Sequence, residues 1–317
     1  MSSLNLQHVH DTLVAVAFEA GRMVREAKPQ NKTADTKMNS VDMVTETDKA
    51  VERLVMARLQ TAYPTFDFVG EESYQRGTTT VTDRPTFVVD PIDGTTNFIH
   101  GFPAVCVSLG FLLDRLPAAG VVYSPFDDVL FTGVRGGGAY MQRCASLVIG
   151  GGLAPGFSVP RERLPLRCPE GDSSKAAPLT GLGSALVAVE WGADRDGANF
   201  ELKASVFRRL AAGDRTEGGR MCHSLRSMGS AALNLCAVAA GQLDAYWEGG
   251  CYAWDVAAGW CILTEAGGIM AGGNPGVWDP AVDSRKYLAV RGAPSGQNAL
   301  VEEFWSVIGD GAMEYEH

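Results

Sequence analysis

Between residues 6 and 27 the apolar positions Leu6, Val9, Leu13, Val16, Ala17, Ala20, Val24 and Ala27 form one helical stripe, and Pro29 ends it. Residues 30–40 are polar and without period, which predicts a mobile surface loop. A second helix turns Ala50, Val51, Leu54, Val55 and Leu59 inward; Thr45 or Thr47 can cap it, and Pro64 closes it. Strand patterns follow at 66–69, 87–89 and 105–113. Residues 120–123 and 129–134 flank Ser-Pro-Phe-Asp-Asp as a hairpin, and 136–140 turns into another strand. The stretch 150–183 is rich in Pro, Gly and Ser and reads as a surface excursion at a seam between two lobes, 1–183 and 184–317. Beyond it, strands are predicted at 185–189, 243–247, 269–270 and 287–290. Helices are predicted at 200–211, 229–240, 255–266 and 298–308. Helices and strands mix without a regular βαβ repeat, which argues for layered α/β or α+β architecture rather than a TIM barrel or dinucleotide fold.

Composition narrows this picture. The chain has 317 residues, 46% apolar and 20% charged, as an ordinary globular protein does. The net charge is −10 and no Lys/Arg run tracks a nucleic-acid backbone, so nucleic-acid binding is set aside. No apolar run spans a bilayer, and the first residues lack a signal-peptide pattern. The 7 cysteines form no C-x-x-C pair and read as reduced core residues of a cytoplasmic protein.

The stretch with the clearest chemistry is F-V-V-D-P-I-D-G-T-T-N-F, residues 87–98. A short apolar strand delivers Asp90 and Asp93 around Pro91, where the chain should turn, and Gly94-Thr95-Thr96 then reads as a helix start. Two carboxylates for a hard cation beside a helix N-terminus suit metal-assisted phosphate chemistry. Three further acids stand at element edges: Asp48, Glu71 and Asp255. Each has a plainer alternative. Glu71 can lie in a solvated turn, Asp48 in a first helical turn, and Asp255 can be an N-cap. Taken together, oxygen donors without nearby His or Cys favour Mg²⁺ or Mn²⁺ over zinc. The 5 histidines look peripheral, although His100 adjoins the motif.

D-P-I-D-G-T-T-N-F at 90–98, G-E-E-S at 70–73 and W-D-V-A-A-G at 254–259 resemble the three signatures of the inositol monophosphatase family, and the resemblance runs from V-D-M-V-T-E-T-D at 41–48 to L-T-E-A-G-G at 263–268. It implies a layered αβαβα sandwich and a lithium-sensitive, Mg²⁺-dependent phosphatase using two to three ions. It also implies a homodimer whose partner is a small phosphorylated polyol, with no nucleic acid and no membrane. Carried over position by position, Glu71, Asp90 and the Ile92 carbonyl hold one ion. Asp90, Asp93 and Asp255 hold a second, and Glu71 serves a weaker third through waters. Thr95 orients the attacking water, with Asp48 behind it. The Gly94 and Thr95 amides seat the phosphate. Glu248 binds substrate hydroxyls and Lys37 is a basic residue near the metal loop.

One departure concerns the substrate loop. The family often has Gly-Ser where this chain has Gly192-Ala193, and Asp194 and Arg195 are the candidates to replace the missing hydroxyl. Two alternatives stand beside the leading reading. One is a phosphatase of the same superfamily for a nucleotide 3′-phosphate, fructose bisphosphate or histidinol phosphate. The other is a catalytically silent binding protein of this fold.

Overall fold

The computed structural model describes residues 4–27, 35–36, 43–44, 46–152, 158–166, 168, 171–213 and 215–316, with backbone alone at 35–36 and 43–44. The first helix, α1 (Leu6–Glu26), is capped by the Asn5 side chain, which accepts from the His8 amide. Two short strands, β1 (Asp35–Thr36) and β2 (Met43–Val44), pair antiparallel; β1 lies within the 30–40 stretch expected to be a loop, and the other residues of that stretch lie outside the described ones. Helix α2 (Glu46–Ala62) then leads to β3 (Asp67–Gly70) and β4 (Thr86–Asp93). A six-residue helix, α3 (Thr95–His100), follows. Four antiparallel strands come next: β5 (Cys106–Leu113), β6 (Leu116–Ser124), β7 (Val129–Val134) and β8 (Gly138–Arg143). A short helix, α4 (Ala145–Ile149), precedes β9 (Arg161–Arg163).

These strands make one seven-stranded sheet in the order β3-β4-β5-β6-β7-β8-β9. The 150–183 stretch is therefore not a pure surface excursion. Its β9 extends the sheet by pairing with β8, Leu164 is buried in the core, and two single-turn helices (Ser173–Lys175 and Leu182–Ser184) lie before the next strand. Its Arg-Glu-Arg strand has no apolar alternation, because an edge strand needs no buried face, and so it gave no sequence signal.

The remaining elements are β10 (Leu186–Val189), α5 (Gly197–Ala211), β11 (Ser224–Arg226), α6 (Ala231–Ala239), β12 (Ala245–Gly249) and α7 (Ala253–Glu265). After them come β13 (Ile269–Gly272), β14 (Lys286–Val290) and α8 (Gln297–Ile308). They form a second sheet of five strands, ordered β11-β10-β12-β14-β13. Three apolar layers hold the molecule together. Residues of α1 and α2 pack on the outer face of the large sheet, α6 and α7 fill the space between the sheets, and α5 and α8 cover the outer face of the small one. This is the expected αβαβα sandwich.

One row of glycines fixes where α7 lies. Gly110, Gly120 and Gly133 are register partners across β5, β6 and β7. A Cβ on Gly110 would stand 2.8 Å from Ala257 Cβ, on Gly120 2.2 Å from the Ala258 carbonyl oxygen, and on Gly133 2.9 Å from Ile262 Cα. No side chain fits between helix and sheet there, so the α7 backbone rests directly on the strands. The same helix carries Asp255 in its first turn.

Candidate active site

Strand β4 is buried along its whole length. Its side chains alternate as a strand requires: Phe87 and Val89 enter the core beneath α1 and α2, while Val88 packs with Trp254 and Ala257 of α7. Asp90 follows on the α7 side. A regular strand would then turn Ile92 to the same face and Asp93 away. The ladder instead slips, passing from Asp90↔Ser108 to Asp93↔Cys106, so two residues on β4, Pro91 and Ile92, oppose one on β5, Val107. Proline at position 91 has no N–H to offer the ladder, and the extra residue is accommodated there as a bulge. The chain thus does not turn away at Pro91, as the sequence had implied; it stays in the sheet through Asp93. The slip reverses the parity. Ile92 joins the α1/α2 core and Asp93 comes round to the side of Asp90.

Each acid is held by a different partner. Asp90 Oδ1 accepts from the Ile92 amide at 3.0 Å. Asp93 Oδ2 accepts from Ser230 Oγ at 2.6 Å and from the Ala232 amide at 2.7 Å, which places it on the first turn of α6. Asp255 Oδ2 accepts from the Tyr252 amide at 2.6 Å, so Asp255 is not the N-cap of α7 but the third helical residue reaching back to the N-cap Tyr252, and the same side chain faces Glu71 and Asp93. Glu71 follows β3 directly, its amide donating to Val89 O at 3.1 Å, and its carboxyl is in hydrogen-bond contact with that of Asp90.

The electrostatics follow from that arrangement. Asp90 is raised well above the carboxylate range, first by burial and then by Glu71, Asp93 and Asp255. Asp255 is raised well above it by burial, then by Glu71 and Asp93. Asp93 rises to about 6 through burial, against the lowering pull of its α6 donors. Among the described residues, no three acids already stand at the spacing of a closed ligand shell. What the structure shows is a set of carboxylates that repel one another, Asp90 and Asp93 buried and Glu71 and Asp255 half-buried, with Glu71 and Asp90 touching. Such a set needs protons or a cation between its members, and oxygen-only donors suit a hard divalent ion. The residues therefore fit a metal of the Mg²⁺ type.

Beside the acids, Gly94 caps α3 at φ 92°, and a Cβ there would meet the Ala104 carbonyl at 2.7 Å, so only glycine serves. Thr95 Oγ1 lies 3.1 Å from Asp48 Oδ1 and 3.0 Å from Ile92 O, and donates to one or the other. Asp48, in the first turn of α2, is fully buried; it is not the solvated acid that position permits.

Sequence reading missed three side chains that fasten the site. Asn97 Nδ2 donates to Ala104 O at 2.8 Å and Met228 O at 2.7 Å, joining α3 to the segment before α6. Glu190, 6% exposed, accepts from the Gly229 amide at 2.9 Å and Asn234 Nδ2 at 2.8 Å. Ser230 both caps α6 and binds Asp93. A polar side chain at the edge of an element was the only signal any of them gave.

Glu248 stands in β12 and its carboxylate accepts from the Tyr246 hydroxyl. At the loop after β10, Arg195 Nη1 donates to Gly192 O at 2.6 Å and Asp194 O at 3.0 Å, and Asp194 Oδ2 accepts from Asn199 at 3.3 Å. The two residues suggested to replace the missing hydroxyl thus brace their own loop. Lys37 lies outside the described residues.

Burial, then Glu190, raises Glu248 to about 7. The folded protein therefore binds more protons than the unfolded chain between about pH 4.5 and 7, and the contribution of this group to stability falls as pH rises through that window. Glu248→Gln should stabilise the protein at pH 8 by on the order of 2 kcal/mol and leave it nearly unchanged at pH 4.5. Denaturant titrations at the two pH values measure this; an equal effect at both would contradict it.

The whole arrangement has close counterparts. The family model described as the inositol monophosphatase family matches residues 5–308. The chain is 42% identical to inositol monophosphatase 2 of Saccharomyces cerevisiae over 98% of each chain. It is 34% identical to inositol monophosphatase 1 of Sus scrofa, over 93% of this chain and 94% of that one. In structure it is similar to the extragenic suppressor protein suhB of Bartonella henselae, with a TM-score of 0.70 and 26% identity over 96% of this chain and all of the other. The match along nearly the full length, with the acids gathered at the end of β4, means that this chain belongs to the inositol monophosphatase family.

Proposed function

We propose that the chain hydrolyses inositol monophosphate, or a similar small polyol phosphate, to the free alcohol and inorganic phosphate by direct in-line attack of water. The carrying observation is the bulge in β4, which turns Asp90 and Asp93 to one side, next to Glu71 and Asp255. Family members depend on metal, generally Mg²⁺. In this reading Glu71, Asp90 and the Ile92 carbonyl hold one ion and Asp90, Asp93 and Asp255 a second, with Glu71 serving a weaker third; Mn²⁺ can substitute. Bound there, the ions would lower the pKa of the attacking water and neutralise the leaving alkoxide. Thr95, donating to Asp48 or Ile92 O, keeps its lone pairs for a proton of the attacking water and so orients it. The amides of Gly94 and Thr95, unpaired within α3 as first-turn amides are, seat the phosphoryl oxygens. Glu248 accepts from polyol hydroxyls, and the backbone at Gly192-Ala193 lines the same alcohol.

The reading includes two lobes meeting at this site, 1–183 and 184–317, in keeping with a seven-stranded sheet that ends at Arg163 and a five-stranded one that starts at Leu186. It includes a homodimer, and a cytoplasmic protein. All seven cysteines are unpaired, as a reducing compartment maintains them. Among the described residues no helix is long and apolar enough to cross a membrane.

Phosphate release from a panel of esters tests this. The panel is inositol 1-phosphate, a nucleotide 3′-phosphate, fructose bisphosphate and histidinol phosphate, each with Mg²⁺ and with or without Li⁺. Release should be fastest from the inositol ester, require Mg²⁺ and fall with Li⁺. Release from another ester alone would move the activity within the superfamily, and release from none would leave a silent binding protein.

A further inference from the structure

Behind the polyol side of the site lies a lysine to which the chemistry above gives no role. Lys203, on α5, is 1% exposed. A lysine so buried is tolerated only when its ammonium is fully partnered. Its Nζ donates to Gly249 O at 2.7 Å and to Trp191 O at 3.1 Å, and stands 5.7 Å from the centroid of the Tyr315 ring. The two carbonyls belong to separate segments. Trp191 precedes Gly192-Ala193, and Gly249 follows Glu248. A Cβ on Gly192 would stand 2.7 Å from Nζ, so the ammonium lies directly beneath that loop. Burial lowers the lysine from its ordinary range, and Glu248 is the leading group that opposes this.

Residues 311–316 roof the lysine. A Cβ on Gly249 would meet Met313 Sδ at 2.4 Å and the Tyr315 ring at 2.8 Å. Two asparagines clamp this irregular segment by its backbone. Asn274 accepts from the Met313 amide and donates to its carbonyl, each at 2.9 Å. Asn199 accepts from the Glu314 amide at 3.0 Å and donates to its carbonyl at 2.8 Å. Asn199 precedes Lys203 by four residues on α5, one helical turn, so one helix face carries both the clamp and the ammonium.

We propose that Lys203, roofed by residues 311–316, is a positioning residue for recognition of the alcohol: it fixes the loop at Gly192-Ala193 and the strand end at Glu248 at one separation, so that both reach the same polyol ring. This rests on the reading above that those two segments contact the substrate. A rigid cyclic polyol presents hydroxyls at set distances, and elements from different parts of a chain can match them only if their own spacing is fixed. A flexible alcohol adjusts to whatever spacing it meets.

The test is Lys203→Met, which removes the ammonium and keeps the volume. It is read as kcat and KM on inositol 1-phosphate and on 2-glycerol phosphate, whose short open chain is flexible. KM for the inositol ester should rise about tenfold with kcat within about twofold, and neither parameter for the glycerol ester should change more than about twofold. Equal changes on both esters, or an unchanged KM for the inositol ester, would overturn the proposal. Tyr315→Leu alters the roof from outside should Lys203→Met not fold, and should raise KM for the inositol ester about threefold; no rise there overturns it as well. A wild-type protein releasing phosphate from neither ester would overturn the phosphatase reading and this inference with it, whereas an active wild type with indifferent variants overturns this inference alone.

Discussion

Asp93→Asn should lower turnover on the inositol ester by about two to four orders of magnitude while the protein stays folded. Oδ2 of Asp93 is occupied by Ser230 and the Ala232 amide on the first turn of α6. An asparagine carbonyl can accept from the same two donors, so the tie between β4 and α6 survives. What is lost is the second oxygen and the negative charge beside Asp90 and Asp255. A loss of this size corresponds to several kcal/mol of transition-state stabilisation, as expected when a ligand to a catalytic ion is neutralised. The fold should not suffer, because the substitution also removes one of several buried charges that repel each other. Circular dichroism and thermal unfolding check the fold, and kcat at saturating Mg²⁺ checks the chemistry. Near-normal kcat would remove Asp93 from the ion site.

The second large effect concerns packing. Gly120→Ala should destabilise the protein by about 2–4 kcal/mol, because the new Cβ would stand 2.2 Å from the Ala258 carbonyl and neither helix nor sheet has a flexible side chain there to give way. Gly213→Ala is the control. Nothing lies within 4 Å of its Cβ position, and it should change stability by no more than about 0.5 kcal/mol. Since α7 carries Asp255, residual activity of Gly120→Ala should fall further than its folded fraction explains. Urea unfolding of the two variants, with activity measured on the folded fraction, separates the effects. A Gly120→Ala protein as stable as the control would show that α7 can lift off the sheet without cost.

The parts of the site that were legible in the sequence were those where local chemistry and local structure coincide. Gly94-Thr95 marks the helix start, so the two acids before it could be read directly, although Pro91, read as the end of the strand, lies within a strand that runs on to Asp93. Glu71 and Asp255 were legible as acids at element edges. The bulge was not, because it depends on how β4 pairs with β5, and the hydrophobic pattern of one strand does not record its partner's register. Asn97, Glu190 and Ser230 were missed for a similar reason. Ser230 meets Asp93 across 137 positions of sequence, and nothing near either residue indicates the other. The two-residue strands β1 and β2 and the edge strands β9 and β11 lack an alternating apolar face, so no period marks them. Asp194 and Arg195 looked available for substrate because their charges were visible; that they brace their own loop is a matter of geometry.

If the proposed function is right, the acids gathered at the end of β4 are the seat of a divalent ion. Titrating Mn²⁺ into the protein while following the free-ion signal by electron paramagnetic resonance tests this without relying on any substrate. The wild type should deplete the free Mn²⁺ signal, Mg²⁺ should restore it by competition, and Asp90→Asn should leave it largely undiminished. Equal depletion by the wild type and Asp90→Asn, or none by the wild type, would contradict the assignment.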